Sequence, residues 1–263
     1  MAKQISGTLE WAPINRNWQR GCEHGCLYCY AFCNACRFKR VLTREQWLNP
    51  VLSHRALMEK PRKLNGRIMC PTTHDITPKN IETSVSYLRA WLAAGNEFLI
   101  VSKPHLNCIK RLCEELRPYS SRIVFRFTIG SAYDDVLSFW EPHAPIYFER
   151  LQALEYAFSE GYKTSVSCEP FLDAHISIVV REVLPFVTDT AWIGKMNKPS
   201  QRVDKTGWGE PEYKMLKSVT EAQSDDAIKA LYERLKVNPK IRWKESIKKV
   251  LGLPPAEAAG LDV

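Results

Sequence analysis

The stretch GCEHGCLYCYA, residues 21–31, places three cysteines at a C-x3-C-x2-C spacing. They are Cys22, Cys26 and Cys29. Thiolates are soft ligands that suit an iron-sulfur cluster or zinc. Three of them on one short loop can surround a single cluster and leave one iron open, and an open coordination position is what a substrate or a cofactor needs.

The same residues allow a second interpretation, a structural zinc site completed by His24, Cys33 or Cys36. Structural zinc sites favour paired C-x2-C units, so the spacing of the first three cysteines fits them less well. Cys33 and Cys36 form such a pair by themselves, and they are either ligands of another metal or reduced, partly buried thiols.

The composition is that of an ordinary soluble globular protein. Of the 263 residues, 45% are hydrophobic and 25% are charged, which supports one large domain with a small appendage. The sequence has no apolar run of about 18 residues, and MAKQISGTLEWAP lacks the pattern of a signal peptide. We therefore expect a cytoplasmic protein without membrane contact, in which the clustered thiols stay reduced.

Short apolar runs alternate with helical patterns along most of the chain, and this predicts parallel strands joined by helices. About six such units predict an incomplete (β/α)6 TIM-type barrel over residues 1–196, with chemistry at the carboxyl ends of the strands. Residues 197–263 are predicted to form a basic, mostly helical extension packed on the barrel. The predicted strands are 7–14, 67–72, 97–102, 123–128, 163–167 and 191–196, and the predicted helices are 43–59, 78–94, 106–116, 146–159 and 174–184.

The cysteine loop resembles the cluster-binding motif of the radical S-adenosylmethionine superfamily. Within it, GC-x-HGC-x-YCYA is similar to the spore photoproduct lyase-like group, which includes DNA repair photolyases. The stretch EPHAPIYFERLQALEYAFSEGYKTSVSCEP, residues 141–170, also resembles that group's pattern of Glu-Pro, Ala-Pro, Arg-Leu, a helix, Gly and a strand. The resemblance covers residues 5–195.

The resemblance implies a 4Fe-4S cluster on Cys22, Cys26 and Cys29, with S-adenosylmethionine chelating the fourth iron. Reductive cleavage then yields a 5'-deoxyadenosyl radical, so the cofactors supply the hard chemistry. The resemblance also implies further cofactor contacts. Tyr30 would flank the adenine, His74 and Asp75 at the second strand end would receive the amino group, and Lys103 at the third would lie near the carboxylate. Thr128 and Ser131 at the fourth strand end would bind the ribose, and Glu169 at the fifth would hold cofactor or substrate.

Three of these residues have an ordinary structural alternative. Asp75 could only cap the turn that follows it. Lys103 could be a lysine whose charged end reaches solvent from the end of a buried strand. Glu169 could form a structural ion pair with Arg126.

Cys70 is a candidate catalytic residue. Spore photoproduct lyase carries a hydrogen-donor cysteine three residues before the aspartate of the second strand, where this chain has Thr72. Cys70 lies two residues earlier, and the alternation of side chains along a strand predicts the same face. The alternative is that Cys70 is a small core residue.

Three functions follow from these patterns. The first is a lyase-like radical enzyme acting on nucleic acid, in DNA repair or modification. It is favoured by a net charge of +8, by the stretch RFKR at 37–40 and by 14 Lys or Arg against 8 Asp or Glu in residues 195–250.

The second is a radical enzyme acting on a peptide, a protein or a small molecule. The third is a non-catalytic, zinc-stabilised nucleic-acid-binding protein. Either enzyme needs an electron donor such as flavodoxin or ferredoxin as a partner.

Overall fold

The computed structural model of the chain describes residues 5–260. Nine strands and twelve α-helices lie in this part of the chain, together with three short 3-10 helices. The strands β1–β9 are Ile14–Asn15, Gln19–Arg20, Val51–Leu52, Ile68–Met69, Phe98–Ser102, Ile123–Thr128, Lys163–Cys168, Ala191–Ile193 and Ile241–Trp243. The helices α1–α12 are Tyr30–Arg37, Arg44–Leu48, His54–Met58, Ile81–Ala93, Leu106–Glu115, Asp134–Trp140, Tyr147–Ser159, Ile176–Val183, Pro199–Arg202, Glu210–Ala222, Asp225–Leu235 and Glu245–Leu251.

Seven strands form one parallel sheet in the order β1-β4-β5-β6-β7-β8-β9, and helices connect most of them. The sheet has two free edges, β1 and β9, so the barrel is incomplete, and the predicted fold class is confirmed. The seventh strand, β9, lies in the 197–263 portion and was not predicted. The division of the chain at residue 196 stays a prediction. No helix in residues 5–260 is both long and apolar enough to cross a membrane.

Alternation along the central strands separates the two faces of the sheet. Ile100 and Phe125 point towards the helices and belong to the main hydrophobic core. Leu99 and Val124, their neighbours in sequence, pack with Trp11 in a second cluster on the opposite face. Side chains two residues apart in a strand lie on the same face of the sheet. Residues two and four positions after Leu99 and Val124 therefore also lie on this second face.

Several predicted elements were wrong in their bounds. The strands predicted at 67–72 and 191–196 end at Met69 and Ile193, and the helix predicted at 78–94 begins at Ile81. The strand predicted at 7–14 begins only at Ile14, because Gly7–Glu10 form a 3-10 helix. The single helix predicted at 43–59 is divided into α2, β3 and α3. Pro50 accounts for the division, since proline has no N–H and disfavours a helical conformation of the residue before it. Helices α1 and α6 were not predicted.

A buried ion pair joins the two ends of the described chain. The Nζ atom of Lys244, directly after β9, lies 2.9 Å from a carboxylate oxygen of Glu10 and donates to the carbonyl oxygen of Gly7 at 2.8 Å. The side chains of Lys244 and Glu10 are 2% and 1% exposed. The ammonium also lies 4.1 Å from the centre of the Trp11 ring, a cation–π contact. The amino-terminal turn is thus held against the last strand of the open barrel.

Lys244→Met should lower the free energy of unfolding by about 3–5 kcal/mol, because it removes the cation from a buried carboxylate. Lys249→Met is the matched control: Lys249 pairs with Glu245 at the surface, is 62% exposed, and its loss should cost at most about 1 kcal/mol. Chemical denaturation measures both. Equal stability of the two variants would contradict the role given to Lys244.

Candidate active site

A cavity of about 560 Å³ opens at the carboxyl edge of the parallel sheet. Residues at or after the ends of six successive strands line it, and the three loop cysteines line it as well. This is the edge at which parallel barrels place their chemistry. From β4 to β9 the strand ends contribute, in order, Asp75, Lys103, Thr128, Glu169, Lys195 and Lys244.

The cysteine loop is fixed by backbone hydrogen bonds rather than by its own secondary structure. The N–H of Cys22 donates to the carbonyl oxygen of Trp47 at 3.0 Å, and the N–H of Leu27 donates to that of Trp140 at 2.9 Å. The Arg44 guanidinium donates to the carbonyl oxygens of Gly25 and Cys26 at 3.0 and 3.2 Å. Segments that follow the loop in sequence, around residues 44–47 and at Trp140, therefore hold its shape.

The three thiols face a common space and form no disulfide. Cys22 and Cys26 are buried, and Cys29 is half-buried at the N-terminus of α1, where its Sγ accepts from the N–H of Phe32 at 3.4 Å. Burial raises the pKa of all three thiols, that of Cys26 to about 12. A bound metal would reverse this, because coordination deprotonates a thiol. Three convergent soft donors beside a cavity fit an iron-sulfur cluster.

Asp75 is the most heavily contacted charge of the site. One carboxylate oxygen accepts from the backbone N–H of Lys103 at 2.7 Å and from Ser102 Oγ at 3.1 Å. The other lies 2.9 Å from His24 Nδ1 and 3.8 Å from Cys22 Sγ. Burial by itself would raise the pKa of Asp75, but the Lys103 ammonium and His24 hold it well below its usual range. Asp75 does not cap the turn that follows it; it connects two strand ends to the cysteine loop.

The site contains three histidines with different surroundings. His24 is buried between Asp75 and His105, whose Nε2 lies 3.0 Å from His24 Nε2. Sγ of Cys22, a ring nitrogen of His24 and an oxygen of Asp75 lie within 4.8 Å of one another. Both nitrogens of His24 already have partners, which disfavours the zinc site that His24 would complete. His74 packs edge-on against Trp18, lines the cavity, and both of its buried nitrogens lack a protein partner.

Lys103 extends into the cavity and not to the open surface. Its side chain is 12% exposed, with Nζ 3.6 Å from Asp75 and 5.9 Å from the centre of the Tyr28 ring. Burial disfavours its charge, but Asp75 holds the pKa of Lys103 well above its usual value. Tyr28 in turn hydrogen-bonds to Glu141, which pairs with Arg150 at 2.5 Å in a fully buried ion pair. Lys103 and Tyr28 line the cavity on this side, and the Glu141–Arg150 ion pair supports Tyr28 from behind the lining.

Three further predicted residues, Tyr30, Thr128 and Glu169, line the cavity. Thr128 ends β6, Glu169 follows β7, and Tyr30 begins α1 directly after Cys29. The Tyr30 hydroxyl donates to the carbonyl oxygen of Thr72, which fixes the ring at the wall. Glu169 does not pair with Arg126; it lies 3.5 Å from Lys244. Arg126 instead pairs with Asp189 at 3.3 Å on the inner face of the sheet.

Ser131 and Cys70 are not brought to the cavity. Ser131 is buried, and its Oγ accepts from the N–H of Tyr133 at 3.0 Å. Cys70 is fully buried in the main core, whereas Thr72 lines the cavity, so the two residues do not share the predicted face. The reason is that β4 ends at Met69, and the regular alternation does not extend through Pro71 to Thr72. A catalytic role of Cys70 stays a prediction without support from its position.

Several residues of the site were not predicted. Glu141 and Arg150 lie inside the stretch that carried the resemblance, so a signal for them existed. Lys195, Arg202 and Lys244 belong to the basic portion of the chain, and only the barrel places them at the cavity. Arg202 lies 5.9 Å from the centre of the Tyr30 ring.

No protein-family model matches the chain, and no curated protein matches it. Solved structures do. A spore photoproduct lyase double mutant with bound AdoMet and dinucleoside spore photoproduct is similar, with a TM-score of 0.49, 17% identity, and coverage of 86% of this chain and 74% of that chain. A spore photoproduct lyase single mutant with dinucleoside spore photoproduct has a TM-score of 0.47 and 17% identity, and the match covers 88% of this chain and 74% of that chain. Streptococcus suis SuiB bound to precursor peptide SuiA has a TM-score of 0.48 and 12% identity, and the match covers 71% of this chain and 39% of that chain.

Gly21→Ala tests how closely the cysteine loop is packed. Gly21 has φ +97°, and an added Cβ would lie 2.6 Å from the carbonyl oxygen of Trp47. We expect a loss of about 1–3 kcal/mol of stability from strain. Gly161→Ala is the control, with φ +78° and nothing within 4 Å of its added Cβ, and should cost only about 1 kcal/mol. If thermal unfolding shows Gly21→Ala to be the milder change, the described packing is wrong.

Proposed function

We propose that this protein is a radical S-adenosylmethionine enzyme. The observation that carries the proposal is the convergence, in one cavity, of Cys22, Cys26 and Cys29 with polar residues from successive strand ends. When bound, a 4Fe-4S cluster and S-adenosylmethionine would supply reductive cleavage to methionine and a 5'-deoxyadenosyl radical for hydrogen abstraction. The three thiols would hold the cluster.

Each remaining residue of the cavity has a role suited to its chemistry. Lys103 offers a buried positive charge to a carboxylate, a strong type of polar contact. Tyr30 offers a fixed aromatic ring to the adenine, and Thr128 offers a hydroxyl to the ribose. His74 has two buried nitrogens without a protein partner, as expected of a side chain that meets a ligand. Asp75 has a positioning role: it contacts His24 of the cysteine loop and Lys103 at the end of β5, and so holds the two in place relative to each other.

Glu169 and Lys244 are proposed to face the substrate side of the cavity. Glu169 is 18% exposed, and Lys244 compensates its charge. Trp11 adds an apolar surface to the lining beside these two charges. Apolar lining that displaces water would protect a reactive radical from side reactions.

We further propose that the substrate is a nucleic acid and that the reaction belongs to DNA repair or modification. Lys195 and Arg202 line the cavity and provide positive charge for phosphates. The net charge of +8 attracts a polyanion. The reducing cytoplasm is the compartment in which the free thiols would persist.

Cys26→Ala should abolish iron binding and 5'-deoxyadenosine formation after anaerobic reconstitution, because a cluster ligand is lost. Cys36→Ala is the control from the same segment and should retain both. Iron content and product are measured with dithionite as the reductant. Turnover that persists in Cys26→Ala, or a colourless wild-type protein that contains zinc, would contradict the proposal.

Binding to a DNA or RNA oligonucleotide should weaken steeply with salt, because each neutralised phosphate releases counterions. Arg202→Gln should reduce the slope of log affinity against log salt by about one. Lys229→Gln, which removes a distant surface charge on α11, is the control. Undetectable binding at low salt would contradict the substrate proposal and leave the cluster chemistry intact.

A further inference from the structure

Helix α1, which begins directly after Cys29, ends in a basic turn of unusual conformation. The N–H of Lys39 donates to the carbonyl oxygen of Cys36 at 2.9 Å, and that of Arg40 donates to Ala35 at 2.8 Å. These two bonds form a Schellman motif, whose left-handed position is usually glycine. Here Lys39 occupies that position with φ 53°.

A lysine in the left-handed region costs about 1 kcal/mol relative to glycine. Among residues 5–260, only Lys39 and Lys198 are non-glycine residues with positive φ. Such strain is a reason to ask whether the side chain has a use that offsets its cost. The Lys39 side chain is exposed, and its surroundings at the surface distinguish it from Lys198.

The turn combines charge with exposed apolar surface. Phe38 is 62% exposed and lies between the guanidiniums of Arg37 and Arg40, which are 5.8 and 5.6 Å from its ring centre. Leu42 is 72% exposed. Within the described part of the chain, neither arginine forms an ion pair with a carboxylate. An exposed aromatic between arginines is the composition of a protein-binding surface.

The turn lies behind the cysteine loop and not at the cavity. Ala35, just before the turn, and Val41, its one buried residue, pack in one hydrophobic cluster with Cys22 and Trp47. None of residues 37–42 lines the cavity. At 1.5 Å per residue, the eight residues of α1 place the turn only about 12 Å from Cys29.

We propose that the exposed turn 37–42 is the docking site for the acidic surface of a low-potential one-electron carrier protein. The inference rests on the proposed function, because each reductive cleavage of S-adenosylmethionine consumes one electron and no residue of this chain supplies it. The carrier is oxidised by one electron, which passes to the cluster held by the three thiols. The positive charges of Arg37, Lys39 and Arg40 attract the acidic carrier. Phe38 and Leu42 provide the apolar centre of the contact.

Position and composition favour a protein over a nucleic acid at this turn. A nucleic-acid substrate has to reach the cavity, where Lys195 and Arg202 supply the positive charge. None of residues 37–42 lines that cavity, and the apolar centre of the turn is not needed for phosphate contact. The turn lies one short helix, about 12 Å, from Cys29, a distance that suits electron transfer to a cluster on the loop.

The test compares Lys39→Gly with Lys198→Gly. Lys198 is exposed and has φ 54°, so both variants remove one charge and one strained backbone position. Binding of each full-length protein to an acidic flavodoxin is measured by interferometry at about 10 mM salt, where screening is weak. We expect Lys39→Gly to bind about fivefold more weakly, and Phe38→Ala about tenfold, while Lys198→Gly binds as the wild type does. Melting temperatures should be unchanged or raised in both glycine variants.

A second measurement separates docking from chemistry. Lys39→Gly should keep the dithionite-driven formation of 5'-deoxyadenosine and lose most of the flavodoxin-driven rate. Equal flavodoxin affinity of the two glycine variants, or no binding by the wild type, would overturn the docking proposal. Loss of oligonucleotide affinity in Lys39→Gly with flavodoxin affinity unchanged would overturn it as well and assign the turn to nucleic acid. Absence of dithionite-driven turnover in the wild type would instead count against the proposed function, while the binding data still decide the docking site.

Discussion

The buried carboxylate of Asp75 is the interaction on which the arrangement of the site depends. It takes a backbone N–H and a hydroxyl from the end of β5, and it contacts His24 within the cysteine loop. An unpaired carboxylate in this position would be costly, so the strand end and the loop are held at fixed distances from each other. The position of Lys103 and the direction of Cys22 both follow from this one group.

Around this centre, two further buried ion pairs hold the outer parts of the cavity. Glu141 and Arg150 hold the wall beside Tyr28, and Arg150 also donates to the carbonyl oxygen of Thr128 at 3.2 Å. Glu10 and Lys244 join the amino-terminal turn to the last strand. In an open barrel the two edge strands, β1 and β9, do not pair with each other. The buried ion pairs hold the surrounding segments in place where strand pairing does not. Their arrangement helps to fix the lining of the cavity at the carboxyl edge of the sheet.

Local patterns were sufficient to predict most of the barrel. Strand β6 has the bounds predicted for residues 123–128, because the run IVFRFT, apolar except for Arg126 and Thr128, follows polar residues and is closed by Gly130. The positions of Lys103, Thr128 and Glu169 at strand ends were predictable for the same reason. The helix predicted at 43–59 was wrong although Pro50 gave a local signal for its division, and the contact that holds this segment to the loop, Trp47 with Cys22, joins residues far apart in sequence. Contacts of this kind, including His24 with Asp75 and Lys244 with Glu10, depend on the assembled fold and leave no local signal. The ligand role of the three cysteines can be observed directly in the reconstituted protein.

Electron paramagnetic resonance of the reduced, reconstituted protein, recorded before and after addition of S-adenosylmethionine, provides that observation. The account predicts the signal of a single 4Fe-4S cluster whose g-values shift on addition, because the sulfonium ligand binds the open iron. An unchanged signal, or no iron signal from a fully folded protein, would contradict it.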